Sequence, residues 1–144
     1  MNQIPVIEKA DAKALELAKR VLRIEAQAVA GLIDRLDAGF PRAVALIRAC
    51  HGRVVVSGVG KSGHIARKIA ATLASTGTPA YFVHAAEAAH GDLGMITRDD
   101  VLIALSNSGE SEELLTIVPL VKRQGGRLVA ITGNPASSLA READ

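Results

Sequence analysis

The sequence predicts an α/β fold, a three-layer α/β/α sandwich around a parallel, doubly wound sheet with one long helix ahead of it. Three observations carry this. Short apolar runs at 54–56, 80–83, 101–105 and 128–131 alternate with stretches of helical spacing. The crossovers between them are about 20 residues or more, long enough to return a parallel strand. The runs are continuously apolar, as strands covered on both faces require. Two polar, glycine-containing loops also stand at the carboxyl ends of two of these strands, where such sheets hold ligands.

The elements follow in order. Leu15, Ala18, Leu22, Ala26, Val29, Ile33 and Leu36 recur at spacings of three and four, which predicts one helix from about Asp11 to Asp37. Lys19, Arg20, Arg23 and Asp34 lie mostly off that stripe. This helix precedes the first strand and belongs to no strand–helix unit, so its stripe either lids the sheet or packs on a second subunit. Gly39 and Pro41 mark a break, and a shorter helix over Arg42–Cys50 ends at Gly52. Val54-Val55-Val56 is the first strand, followed by the turn Gly58-Val59-Gly60 and a helix over about Ser62–Ser75. That helix is expected to bury Ile65, Ile69 and Leu73 and to end at Gly77. Strand two is Ala80–Val83, and the polar segment His84–Gly94 has room for one or two helical turns. Asp99-Asp100 turns into strand three, Val101–Leu105. A helix over about Glu110–Gln124 contains Pro119, expected to kink it or expose a carbonyl, and Gly125-Gly126 closes it. Strand four is Leu128–Ile131, and Asn134-Pro135 reads as N-cap and first turn of a last helix through Ala143. The expected strand arrangement is flavodoxin-like.

Composition narrows the partners. The 144 residues suit a single domain with a proper core. Aromatic residues are 2% with no Trp, which argues against base stacking on single-stranded nucleic acid. A net charge of +2 gives no reason for a nucleic-acid partner either. Cys50 is the lone cysteine, which points to a reducing compartment, so the expected location is cytoplasmic. No apolar run is long enough for a membrane span, and Met1–Pro5 lacks the regions of a signal peptide.

The two loops carry the chemistry. A strand, a glycine turn and a helix starting near Ser62 leave backbone N–H groups unpaired at the helix start, a ready anion site. Gly58, Gly60 and Gly63 match G-x-G-x-x-G formally, but that signature wants an acid at the end of strand two, where His84 stands. Gly60-Lys61-Ser62 resembles the end of a triphosphate loop, whose first glycine would fall on Val55. Glycines that allow a tight turn and close helix–strand contact account for the pattern without a nucleotide. In Ser106-Asn107-Ser108-Gly109-Glu110-Ser111, three serines and an asparagine exceed the one residue a helix cap needs, which favours a phosphate ligand. Glu110, Glu112 and Glu113 suit a first helical turn, and one facing a cleft would be placed for proton transfer.

Three stretches together resemble the sugar isomerase (SIS) domain: Gly58–His64; Ser75–Pro79 with Val83-His84 and Glu87–Gly94; and Ser106–Ser111. Within that family they are similar to the arabinose 5-phosphate isomerases, whose reaction interconverts D-arabinose 5-phosphate and D-ribulose 5-phosphate for the Kdo branch of lipopolysaccharide synthesis. The resemblance implies that Ser62, Ser106, Asn107, Ser108 and Ser111 bind phosphate, and that Gly77, Thr78, His84 and His90 contact substrate. It implies catalytic positions at Lys61 and Glu113, and zinc at His84 in a reaction that requires no cofactor; His90 is a third catalytic candidate because a histidine can serve as base. His84, His90 and Asp92 are the residues that could form such a metal site, though they are few for a structural zinc. The expected partner is a small sugar phosphate, and a homo-oligomer, dimer or tetramer, is implied. A non-catalytic sugar-phosphate-binding module or sensor is the alternative. Family members continue beyond the position of Asp144, so residues 1–144 are expected to be one SIS domain incomplete at its C-terminus, binding substrate better than it turns it over.

Overall fold

The three valines of the first strand lie at the centre of a four-stranded parallel sheet. In the computed structural model, which describes residues 4–144 apart from the side chains of 4–10 and of Asp92, the strands are β1 (Val54–Gly58), β2 (Ala80–His84), β3 (Val101–Leu105) and β4 (Arg127–Ile131). Their spatial order is β2-β1-β3-β4, with Val54 opposite Ala80 and Val101, and Val101 opposite Arg127. The helices are α1 (Ile4–Ala30), α2 (Gly39–Arg48), α3 (Gly60–Ser75), α4 (Ala85–Ala89), α5 (Glu112–Arg123) and α6 (Ser138–Glu142), with short 3-10 turns at Ile33–Arg35 and Asp92–Met95. The chain divides into two units, Met1–Phe40 and Pro41–Asp144.

Strand side chains alternate faces, and each face has its own core. Val54, Val56, Val101, Ile103, Leu105 and Val129 pack with Ala66 and Ala70 of α3, joined by Ala43, Leu46 and Ile47 of α2. Val55, Leu102, Ala104 and Leu128 face the other way, onto Leu114, Ile117, Val118 and Val121 of α5 and onto Leu139 of α6. The three layers and the parallel, doubly wound sheet are therefore as the sequence predicts. At the amino end of the sheet, buried Asp100 accepts hydrogen bonds from the N–H groups of Arg53 and Thr97, both at 2.6 Å, and from the Thr97 hydroxyl at 3.0 Å.

Three expectations are corrected. Helix α1 ends at Ala30, not Asp37: glycine at 31 is a poor helix residue, and the apolar spacing beyond it belongs to a 3-10 turn. Helix α3 buries Gly63, Ala66 and Ala70, while Ile65 is 57% exposed and Ile69 and Leu73 are half-buried. The reason is close approach: a Cβ on Gly63 would lie 2.8 Å from the Gly58 carbonyl oxygen, so only small side chains fit that face. Helix α5, with Pro119 inside it, keeps close to its expected bounds at Glu112–Arg123. The last helix is one short turn capped by Ser137, because Asn134 closes its own turn by accepting from the Ala136 N–H.

The first unit, taken by itself, is chiefly the single helix α1. Its apolar side chains Leu15, Leu22 and Val29 are exposed, at 57%, 64% and 68%.

Candidate functional site

The strand order reverses between β1 and β3: α3 leads from β1 to β2 on one side of β1, and the chain then crosses back to β3 on the other. In doubly wound sheets the crevice at such a point, beyond the carboxyl ends of the strands, is the ligand site. A cleft of about 390 Å³ opens there, lined by Lys61, Ser62 and Ile65 of α3, Leu105, Ser106 and Asn107 after β3, and Ile131, Thr132 and Gly133 after β4.

One wall is the start of α3. Gly60 takes φ +56°, a turn that favours glycine, and Val59 at the N-cap offers no side-chain acceptor. The first amides of a 16-residue helix are thus left for an anion, with Lys61 exposed beside them. Ile65, one turn after Lys61, continues the wall.

The floor is the serine loop. The Ser106 hydroxyl, almost fully buried, lies 2.8 Å from the Ser111 hydroxyl and 3.5 Å from that of Ser108, and accepts from the Gly109 N–H at 3.1 Å. The Ser108 hydroxyl accepts from the Glu110 N–H at 3.2 Å. Ser111 stands at the N-cap of α5 yet makes no side-chain cap bond, so the hydroxyls are engaged with the loop, and simple helix capping does not account for them. Gly109 takes φ +71° and packs against Ser137 and Thr132.

The third wall is the segment after β4. Gly133 N–H donates to the Asn107 carbonyl at 3.1 Å, and Ser106 N–H to the Ile131 carbonyl at 3.1 Å. Leu139 N–H donates to the Gly109 carbonyl at 3.1 Å. Glu110 turns to this segment: its Oε1 accepts from the Ser138 N–H at 2.8 Å, and Arg141 reaches the Ser138 hydroxyl at 2.9 Å. The Ser138 backbone bond, helped by the Ser138 hydroxyl and the Arg141 charge, holds the Glu110 carboxyl below its usual range.

Of the residues singled out from the sequence, Lys61, Ser62, Ser106 and Asn107 line the cleft together. Ser108 and Ser111 belong to the same hydroxyl cluster. His84 ends β2 beside Gly58 and caps α4, its Nδ1 accepting from the Ala86 N–H at 3.2 Å. His90 is the exposed C-cap of α4, and Glu113 is half-buried in the first turn of α5; neither lines the cleft. Gly77 and Thr78 precede β2, at the amino ends of the strands, while the cleft is at the carboxyl ends, about 16 Å away along a five-residue strand.

Among the described residues no three His, Cys, Asp or Glu side chains gather around a point that could hold a metal ion, and His84 already has Nδ1 occupied. The side chain of Asp92 lies outside the described residues. Sequence reading missed Ile65, Ile131, Thr132 and Gly133 as lining residues. The available signal was the Thr132-Gly133 pair at the carboxyl end of the strand that follows β3.

The SIS domain family model matches residues 46–144. Arabinose 5-phosphate isomerase KdsD of Pseudomonas aeruginosa is 57% identical over 127 residues, covering 88% of this chain and 39% of that one. The protein of the same name from Escherichia coli K12 is 54% identical over 129 residues, covering 90% and 39%. The chain thus spans about two-fifths of the length of the curated relatives it matches. The solved structure of E. coli CFT073 c3406 in complex with A5P superposes with a TM-score of 0.87 at 45% identity, covering 100% of this chain and 72% of that chain.

Proposed function

The chain belongs to the SIS domain family, and on that premise we propose that it carries an aldose–ketose isomerase site that interconverts D-arabinose 5-phosphate and D-ribulose 5-phosphate. The observation that carries this reading is the convergence of Lys61, Ser62, Ser106 and Asn107 on one cleft at the point where the strand order reverses. The 57% identity to KdsD supports the choice of pentose phosphate.

In this proposal the phosphate sits on the Ser106–Ser111 loop and the amides at the start of α3, leaving the carbonyl end of the open-chain sugar toward Lys61. A base takes the proton from C2, and its electron pair becomes the C1–C2 double bond of an enediolate, with negative charge on O1. A proton enters at C1 as the O2 hydroxyl loses its own, which forms the C2 carbonyl; O1 ends protonated. The Lys61 ammonium is suited to stabilise the charge on O1, since fixed positive groups at a developing oxyanion lower the barrier. Glu113, a catalytic position by resemblance, and His90 remain candidates for the base. Oxygen and nitrogen acids of this kind contribute typically 10²–10⁴-fold when positioned.

The same reading assigns the arabinose 5-phosphate formed in the reverse direction to the Kdo branch of lipopolysaccharide synthesis and the reaction to the cytoplasm, with the free Cys50 consistent with a reducing compartment. Among the described residues no helix is long and apolar enough to cross a membrane. We also propose self-association. The apolar stripe of α1 is one support. The position of Gly77 and Thr78 is another: if they contact sugar, they do so at the cleft of a different copy.

A sugar-phosphate-binding module without turnover is the second reading. It is favoured by the cleft lining, which among the described residues contains no carboxylate or histidine. Incubation with arabinose 5-phosphate separates the two. The isomerase converts it to ribulose 5-phosphate, whereas the module binds it unchanged.

A further inference from the structure

Glu110 poses an electrostatic problem for any anion loop. It stands between Ser108 and Ser111, whose hydroxyls form the loop, and an ionised carboxylate there repels a phosphate. If the residue did nothing else, it would weaken binding.

Its contacts supply a reason for it. The carboxylate points to the β4–α6 segment, where Oε1 accepts from the Ser138 N–H at 2.8 Å. The contact joins residues 28 apart in sequence, one in the serine loop and one at the start of α6. It joins a row of bonds between the same two segments, beside Gly133 N–H to Asn107 carbonyl and Leu139 N–H to Gly109 carbonyl, both at 3.1 Å, and the Thr132 hydroxyl to Asn107 carbonyl at 3.4 Å. Arg141, which donates to the Ser138 hydroxyl at 2.9 Å and to the Ala136 carbonyl, adds a positive charge near the carboxylate.

We propose that Glu110 is a positioning residue for the anion loop: through the Ser138 N–H it ties Ser106–Ser111 to the β4–α6 segment, so the hydroxyls are set before the ligand arrives. This rests on the reading of the cleft as a sugar-phosphate site. A loop already in its bound conformation avoids the ordering cost of association, and releasing the tether restores that cost.

Two substitutions give opposite signs for the two roles. Glu110→Ala removes the tether and the charge; Glu110→Gln removes the charge and keeps a side-chain oxygen that the Ser138 N–H can reach. A merely repulsive Glu110 predicts tighter phosphate binding in both variants. The tether predicts that Glu110→Ala binds arabinose 5-phosphate about fivefold or more weakly, while Glu110→Gln binds within about twofold of the parent or better. These ranges follow from a charge-assisted hydrogen bond at an exposed site. Affinity is measured by calorimetry with arabinose 5-phosphate and, separately, by amide shifts of residues 106–111 on titration with inorganic phosphate. In Glu110→Ala without ligand those amides should already move from their parent positions, and in Glu110→Gln they should not. Equal or tighter binding by Glu110→Ala would overturn the proposal, as would equal weakening in both variants. A parent chain that binds neither probe would instead sink the sugar-phosphate reading itself.

Discussion

Gly109 lies against Ser137 so closely that a Cβ at position 109 would overlap the Ser137 hydroxyl and come within 2.9 Å of Thr132 Oγ1. Its φ of +71° adds backbone strain for any other residue. Ser137 is fully buried and caps α6 by accepting from the Ala140 N–H at 3.3 Å, so it has little room to yield. Gly109→Ala is therefore expected to lower stability by about 2–4 kcal/mol, combining left-handed strain with overpacking. Urea unfolding measures this, and a loss below about 1 kcal/mol would show that the loop relaxes freely.

Removing the hydroxyls of Ser108 and Ser111 together tests the phosphate site. Ser111 contacts Ser106 at 2.8 Å, and Ser108 lies 3.5 Å away on the same cluster. The double alanine variant should lose at least about tenfold in affinity for arabinose 5-phosphate, since hydrogen bonds to a charged ligand are each worth about 1.5–3 kcal/mol. Calorimetry with an unchanged dissociation constant would remove these serines from the site.

Ser57 carries the opposite prediction. It is fully buried in β1, and its Oγ has no hydrogen-bond partner among the described residues. An unpaired buried hydroxyl costs about 1–3 kcal/mol, so Ser57→Ala should stabilise the fold and raise the melting temperature by a few degrees. A fall in melting temperature would mean that the hydroxyl is satisfied in solution.

Self-association has its own test. The exposed stripe of α1 carries Leu15, Leu22 and Val29. Light scattering at micromolar concentration should give a mass above one chain, and Leu22→Glu with Val29→Glu should reduce it. A single-chain mass for the parent would contradict the proposal.

The strands were legible because burial on both faces forces continuous apolar runs, and Val54–Val56 and Val101–Leu105 stand out without any pairing information. The serine loop was legible because its composition exceeds what capping requires. Helix faces were less so. Ile65 looks like a core residue by spacing, but the approach of Gly63 to Gly58 turns the small residues inward and leaves Ile65 at the cleft. The role of Glu110 was hidden because Ser138 is 28 residues away, and nothing local marks that contact. Thr132 and Gly133 carry no titratable group, and the strand order is what brings their place after β4 to the cleft. The separation of Gly77 and Thr78 from the cleft follows from parallel topology, yet a motif read along the chain gives no hint of it.

The isomerase reading is tested most directly by the fate of the C2 proton. Arabinose 5-phosphate is incubated with the protein in deuterated water and followed by proton NMR, beside the Lys61→Ala variant and a buffer blank. Isomerisation at this site predicts loss of the C2 proton signal with appearance of ribulose 5-phosphate carrying deuterium at C1. The rate should exceed the blank and fall at least tenfold in Lys61→Ala, in line with loss of an oxyanion-stabilising group. A C2 proton that persists at the blank rate while calorimetry shows the sugar phosphate bound would contradict it and leave a binding module.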